Sequence, residues 1–483
     1  MRRRRGFSLV LAATVLFALY GGCSGSSSSP SGGAAGSVGA GSGGTAGETL
    51  VGGAPGGVGG AGHAGKGGKG GTGGTGGKEG GAGVGASGAP LQWKELGTVN
   101  NTPIGQLIDP EKYRLFAWKH CDWTEDPACE EAVINEEAFP LAPYWGLVTT
   151  LHDDGIQVRV GVYIARSEIA AITDEDGNTL TAFTNFGDGA QTFFSFLSVY
   201  KDSYALPIYN NSPTPGGILG KIGQAPPTFF EPSYPKPVFL LQPVQGLALN
   251  SKRWAWWVGQ AAMVSWDSSV GPPASVFSET HTNSDKTPLA IRGLVQADDF
   301  FLSSEDYIDD NHPRAVVVIS DGIQKAVPLF PPVPGADDDG PTFTGKHILW
   351  FRGLDIVSVN YFKKVELWGT AFSGNLKDVK PYKIMDVDYH FNNLDYRYKI
   401  GGAGRLFFAT GGLQPDGNYL PDRMNVLDVA SGKLSLSFEL PGGVYFSTAN
   451  GVTRTHAWFS VDSEKGNFGP RRLLRWKLPP LSP

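Results

Sequence analysis

Several things are scarce in this chain, and each scarcity removes a class of function. Among 483 residues there are only three cysteines, and no two of them make a Cys-x-x-Cys pair. There is no His-Glu-x-x-His zinc pair and no Gly-x-Ser-x-Gly nucleophile elbow, so the local signatures of zinc proteases and of α/β-hydrolases are missing. Positive charge is also lacking. The formal net charge is −6, it becomes −10 without Arg2–Arg5, and residues 91–483 carry −11. Nucleic acid and anionic lipid surfaces need a basic face, so neither is expected as the main partner. Beyond residue 20 no apolar run approaches the ~20 residues that a membrane-crossing helix requires.

The first apolar run, Phe7 to Tyr20, is 14 residues long and follows four arginines. A basic start with a short apolar core is the layout of a secretory signal. In "ALYGGCSGSSSSP" the run ends at Gly21, Gly22 and Cys23, which resembles the lipobox of bacterial lipoproteins. The resemblance implies cleavage before Cys23 and acylation of its thiol, hence an exported protein held by lipid in the cell envelope, at the outer membrane or cell surface. Acyl chains contribute roughly 0.8 kcal/mol per buried CH₂, so several chains anchor a protein without any spanning helix.

With Cys23 lipidated, Cys121 and Cys129 remain, in "HCDWTEDPACEEAV". Exported thiols tend to pair, and these two are close enough to clip a small loop as a disulfide. Asp126 and Pro127 have the character of a helix N-cap and first turn, so a short helix is expected there. A thiolate metal site is the sharper reading, but no second pair of soft ligands lies nearby.

From Ser24 to Pro90 the chain is almost wholly glycine, serine, alanine and threonine. So few apolar side chains cannot offset the entropy of ordering, and a flexible coil is expected. Its 67 residues would span roughly 45 Å root-mean-square. Aromatic and β-branched residues take over at "LQWKELG" and persist to residue 483. This divides the chain into a signal (1–23), a glycine-rich linker (24–90) and one folded region (91–483).

Within the folded region short apolar openings recur: "YRLFAW", "IQVRVGVYIA", "KRWAWWVG", "RAVVVIS", "HILWFRG", "RLFFATGG" and "HAWFSV". Their spacing of about 40 to 60 residues, with Gly/Asp turns between, suits a four-stranded propeller blade. "HILWFRGLDIVSVNYFKKVELWGTAF" divides into three strands, with a turn at Gly353 to Asp355. "NVLDVASGKLSLSFELP" resembles a repeat of the quinoprotein-like and related β-propellers, with Asp428, Gly432 and Lys433 at a turn between two strands, and "AITDEDGNTLTAF" echoes it. Leu436 stands where quinoprotein repeats carry a docking tryptophan, so no quinone is expected. The fold expected is all-β: a propeller of six to eight blades, seven favoured, with a tandem β-sandwich as the alternative. "LQWKEL" and "RRLLRWKLP" are expected to pair in one blade and close the ring.

Three stretches carry candidate chemistry. "GPTFTGKH" has phosphate-loop spacing, but His347 replaces the hydroxyl and a strand follows, so it reads as a hairpin turn. "QADDFFLSSEDYIDDNHP", with Asp298, Asp299, Asp309 and Asp310, and "GADDDG", with Asp337 to Asp339, read as acidic loops between strands. Such loops could hold calcium, supply two carboxylates to a glycosidase, or simply be solvated. "RWAWWVG" places Trp254 and Trp256 on one strand face, either as core packing or as a platform for sugar rings. The reading reached is a monomeric, non-catalytic, lipid-anchored propeller. It would bind an extracytoplasmic polysaccharide, peptide or protein, with no cofactor beyond calcium at the acidic loops. The alternative is an exported glycoside hydrolase or polysaccharide lyase whose carboxylates come from separate blades.

Overall fold

The computed structural model describes residues 92–99, 102–135, 147–164, 169–185, 193–194, 197–209, 216–224, 228–230, 244–249, 254–258, 261–265, 274–276, 290–297, 299–306, 315–320, 327–358, 361–387, 399–413, 419–463 and 471–481. Cys23 and the 24–90 segment lie outside the described residues. Among those described, strands dominate, helix is limited to two short 3₁₀ turns at Pro110–Lys112 and Leu376–Asp378, and no helix is long and apolar enough to cross a membrane.

The strands are β1 Trp93–Val99, β2 Thr102–Leu107, β3 Phe116–His120, β4 Cys129–Ile134, β5 Leu147–Asp153, β6 Val158–Ile164, β7 Ile169–Thr173 and β8 Thr179–Asn185. Next come β9 Phe193–Phe194, β10 Ser198–Tyr200, β11 Ser203–Tyr209, β12 Gly216–Lys221, β13 Thr228–Phe230, β14 Val244–Leu249, β15 Trp254–Val258, β16 Ala261–Ser265 and β17 Ala274–Val276. The remainder are β18 Ala290–Gln296, β19 Phe300–Asp306, β20 Ala315–Ser320, β21 Val327–Pro328, β22 Ala336–Phe343, β23 His347–Ser358, β24 Tyr361–Ala371 and β25 Tyr382–Val387. Last are β26 Lys399–Gly402, β27 Arg405–Leu413, β28 Tyr419–Asp428, β29 Lys433–Glu439, β30 Tyr445–Val452, β31 His456–Asp462 and β32 Arg472–Lys477.

They form seven antiparallel sheets, built mostly as meanders in chain order. The inner strands of successive sheets touch in a closed cycle, β5 to β10, β14, β18, β22, β26, β30 and back to β5. Seven sheets meeting edge-on around a ring are the blades of a β-propeller. Apolar clusters fill the wedges between blades. Trp350, Ile348 and Phe372 of the fifth blade pack with Val316, Val318 and Leu302 of the fourth, while Leu349 and Phe351 face Leu406 and Phe408 of the sixth. Adjacent residues of one strand thus serve opposite wedges, as a period of two requires.

The disulfide Cys121–Cys129 is present, and the hairpin turns at Asp174–Gly177 and Asp428–Gly432 form as expected, each with a positive-φ glycine. "GPTFTGKH" is likewise a hairpin, in which Thr344 N donates to His347 O at 3.0 Å. Four expectations need correction. The ring closes through "CEEAVI", because β4 rather than β1 pairs with β32, and β1 instead extends the first blade outward through β2 and β8. No helix follows Asp126. Its side chain accepts the Ala128 N–H at 2.9 Å to make a turn, and the alternating burial of β4 between β3 and β32 overrides the capping signal. Gly353 to Asp355 do not turn. They lie inside the 12-residue β23, where the Gly353 Cα leaves room for the ring of Phe362. "GADDDG" is no solvated loop: Asp337, Asp338 and Asp339 are buried in β22, the inner strand of the fifth blade.

Candidate functional site

In a four-stranded meander the first and third turns emerge at one end of the ring, and the second turn and blade crossings at the other. At the first end, between the seventh and first blades, lies a polar cluster. Glu175 is held in the β7–β8 turn because Asp174 Oδ1 accepts the N–H groups of Asp176 (3.0 Å) and Asn178 (2.9 Å). Its carbonyl oxygen accepts from Trp118 Nε1 at 2.9 Å and Arg475 Nη1 at 3.1 Å. Its carboxylate meets His456 Nδ1 at 2.9 Å and accepts from Thr455 Oγ1 at 3.2 Å. The His456 hydrogen bond holds the Glu175 carboxyl below the usual range against the opposing effect of burial. Arg475 sits over the Trp118 ring, 4.2 Å from its centroid, and binds Glu130 Oε2 at 2.5 Å.

A carboxylate, an imidazole and a hydroxyl invite comparison with a hydrolytic triad, and the geometry rejects it. Both Glu175 Oε1 and Thr455 Oγ1 address His456 Nδ1, each at 2.9 Å. A relay needs acid and hydroxyl on opposite ring nitrogens. The cluster therefore ties blades together.

The second cluster crosses the fifth blade. Strand register sets Asp338 opposite Arg352, Arg352 opposite Glu366, and Glu366 opposite Asp386. Arg352 donates Nε to Asp338 Oδ1 at 2.7 Å and Nη2 to Oδ2 at 2.9 Å, and Trp350 Nε1 adds a bond at 2.8 Å. Burial pushes the Asp338 carboxyl up, with Arg352 and Trp350 opposing. Further out, burial would raise Glu366, but Lys364, Lys383 and Trp368 outweigh it and bring it down to about 2. Asp339, on the same inner strand, accepts from Ser304 Oγ of β19 at 2.5 Å, and its carbonyl accepts from Lys399 Nζ of β26 at 3.2 Å. One inner strand is thus pinned to both neighbouring blades.

The sequence candidates are scattered. Trp254 and Trp256 occupy alternate positions of β15, opposite Leu249 and Leu247 of β14, so they share a sheet face. Their side chains lie outside the described residues. Asp299 is exposed in the turn before β19, whereas Asp298, Asp309 and Asp310 lie outside the described residues. Glu305 and Asp306 belong to β19, not to a loop. Among the described residues no group of three metal-ligating side chains gathers. Residue-by-residue reading missed Arg352, Glu366, Glu175, His456 and Arg475. A signal existed for the first two: Asp338 and Arg352 are symmetric about Gly345, the turn of one hairpin, which is what antiparallel register demands.

No known family profile matches the chain, and no curated protein matches it. Solved structures resemble it in fold. Oligogalacturonate lyase in complex with manganese is 11% identical with a TM-score of 0.41, covering 81% of this chain and 97% of that one. The β-propeller domain of the Trilobed protease from Pyrococcus furiosus is 12% identical with a TM-score of 0.41, covering 70% and 98%. The WD40 domain of SCAP from fission yeast is 8% identical with a TM-score of 0.37, covering 80% and 99%. The chain is a β-propeller, and the proteins that resemble it include enzymes and a WD40 domain. Resemblance at this level says nothing of activity.

Proposed function

We propose that this protein is an exported, lipid-anchored β-propeller that serves as a binding or scaffold module for an extracytoplasmic polysaccharide, peptide or protein. The observation that carries the reading is how five acids of the first, fifth and seventh blades are engaged. Asp338 is held by Arg352, Glu366 by two lysines, Glu131 by Arg472, Glu130 by Arg475 and Glu175 by His456. Carboxylates engaged in this way join strands within the fifth and seventh blades, and at Glu175 the first blade to the seventh, rather than share a proton with a substrate. The placement of β1 supports display. It is the outermost strand of the first blade, so the first described strand enters the fold at the rim of the ring. The signal-like start and Cys23 supply the export and the anchor.

The test is to offer the full chain a panel of cell-wall and extracellular polysaccharides, and to follow both the protein retained and the size of each glycan. Retention without shortening supports the module. Shortening abolished by changing one acidic residue would replace it with the glycosidase or lyase reading. Separately, Cys23→Ala should release the protein from membranes and abolish incorporation of labelled fatty acid, and an unchanged membrane fraction would refute the anchor.

A further inference from the structure

The N-terminal part of the fold is divided between two blades: β1 and β2 extend the first, while β3 and β4 complete the last beyond β32. The backbone seam that joins β4 to the C-terminal strand is short. It consists of the register pairs Leu474 with Glu131, Arg475 with Glu130 and Trp476 with Cys129, plus Lys477 N donating to Ala128 O at 2.9 Å. So brief a strand pairing is marginal by itself.

Side chains reinforce it, and they come from one place. Arg472 donates to Glu131 Oε1 at 2.8 Å, to Glu131 Oε2 at 2.6 Å and to Asp122 Oδ1 at 2.7 Å. Arg475 binds Glu130, and the Trp123 ring lies 6.2 Å from that of Trp476. Asp122 and Trp123 sit inside the loop that the Cys121–Cys129 bond closes, and Glu130 and Glu131 follow directly after it. Both cysteines are fully buried in the apolar cluster that contains Leu474, Trp476 and Phe459. The disulfide therefore shapes the surface that receives the C-terminal strand.

We propose that the Cys121–Cys129 disulfide is a redox latch for ring closure: oxidation sets the β3–β4 hairpin to grip β32, and reduction frees the seam while the other blades stay folded. The step is a two-electron oxidation. The two thiols lose two protons and two electrons, one S–S bond forms, and a disulfide oxidant, protein-borne or glutathione, is reduced to two thiols. The ring thus completes itself in an oxidising compartment. This inference stands whether or not Cys23 carries lipid, and whatever the propeller binds.

Native-state trypsin cleavage of the full chain, mapped by mass spectrometry, tests it. Oxidised protein, protein reduced in its folded state with thiols counted, and the Cys121→Ser/Cys129→Ser double variant are compared. Reduced protein and variant should be cut after Arg472, Arg475 and Lys477 on the order of a hundredfold faster, the factor implied by loss of a loop closure with a sequence separation of 8. Cleavage after Arg352, in the fifth blade, should not change. Equal rates at β32 in all three samples would overturn the latch. So would acceleration at Arg352 as large as that at β32, or failure of both thiol forms to stay folded, because either means that the bond stabilises the whole fold. If only the variant fails to fold, the reduced wild type decides.

Discussion

The guanidinium of Arg352 lies over the indole of Trp368, 4.1 Å from the ring centroid, while both oxygens of Asp338 accept its hydrogen bonds. One cation thereby satisfies a fully buried acid and packs against an aromatic ring of the next strand. Removing only the cation would strand the acid. Arg352→Met should cost about 3–5 kcal/mol in denaturant unfolding, and adding Asp338→Leu should restore most of that loss. A single-variant cost below about 1 kcal/mol would show that the pair does not hold the blade.

Glu366 gives a pH signature. Its carboxyl lies at about 2 in the fold against an ordinary value of 4.5. A depressed acid contributes stability that is complete above its unfolded value and is lost as pH falls through its folded one. The stability difference between the wild type and Glu366→Gln should therefore be constant above pH about 4.5 and shrink towards pH about 2. Urea midpoints measured across that range check it. A difference that does not change with pH would remove the ionic contribution.

Two glycines separate backbone strain from crowding. Gly223 has φ +72° with open space where a Cβ would stand, and Gly177 has φ +82° with the Phe116 carbonyl oxygen 2.2 Å from that point. Gly223→Ala should cost about 1–2 kcal/mol for the left-handed backbone alone. Gly177→Ala should cost about 2–5 kcal/mol, since it also drives the β7–β8 turn away from the start of β3. Equal costs in thermal unfolding would mean that this turn does not dock as described.

The tryptophans on one face of β15 bear on ligand binding. If they form the sugar platform, Trp254→Ala and Trp256→Ala each lower glycan retention about tenfold, roughly one ring contact's worth, with little change in melting temperature. Trp257→Ala, on the other face, should leave retention unchanged. A fall in melting temperature with no change in retention would assign Trp254 and Trp256 to packing.

Local chemistry made much of this fold legible. The Asp174–Gly177 and Asp428–Gly432 turns need a side-chain acceptor and a left-handed glycine, and both are written in adjacent letters. The proximity of Cys121 and Cys129 likewise indicated a bond that is present. Local letters also misled. Asp126-Pro127 has helix-capping character, yet the pairing of β4 with β3 and β32 makes a strand. Three consecutive aspartates resemble a solvated loop, yet Arg352, 14 residues later, makes burial of Asp338 tolerable.

By itself the sequence determined the class of structure, the turns at Asp174–Gly177 and Asp428–Gly432, and the disulfide, because each depends on neighbouring residues and on a period of two. Only the tertiary structure decided which strand closes the ring and which charges meet. Both depend on register between strands distant in sequence: Glu131 finds Arg472 across 341 positions, and Glu175 finds His456 across 281. No local pattern encodes such a meeting, since it exists only once seven blades have come full circle.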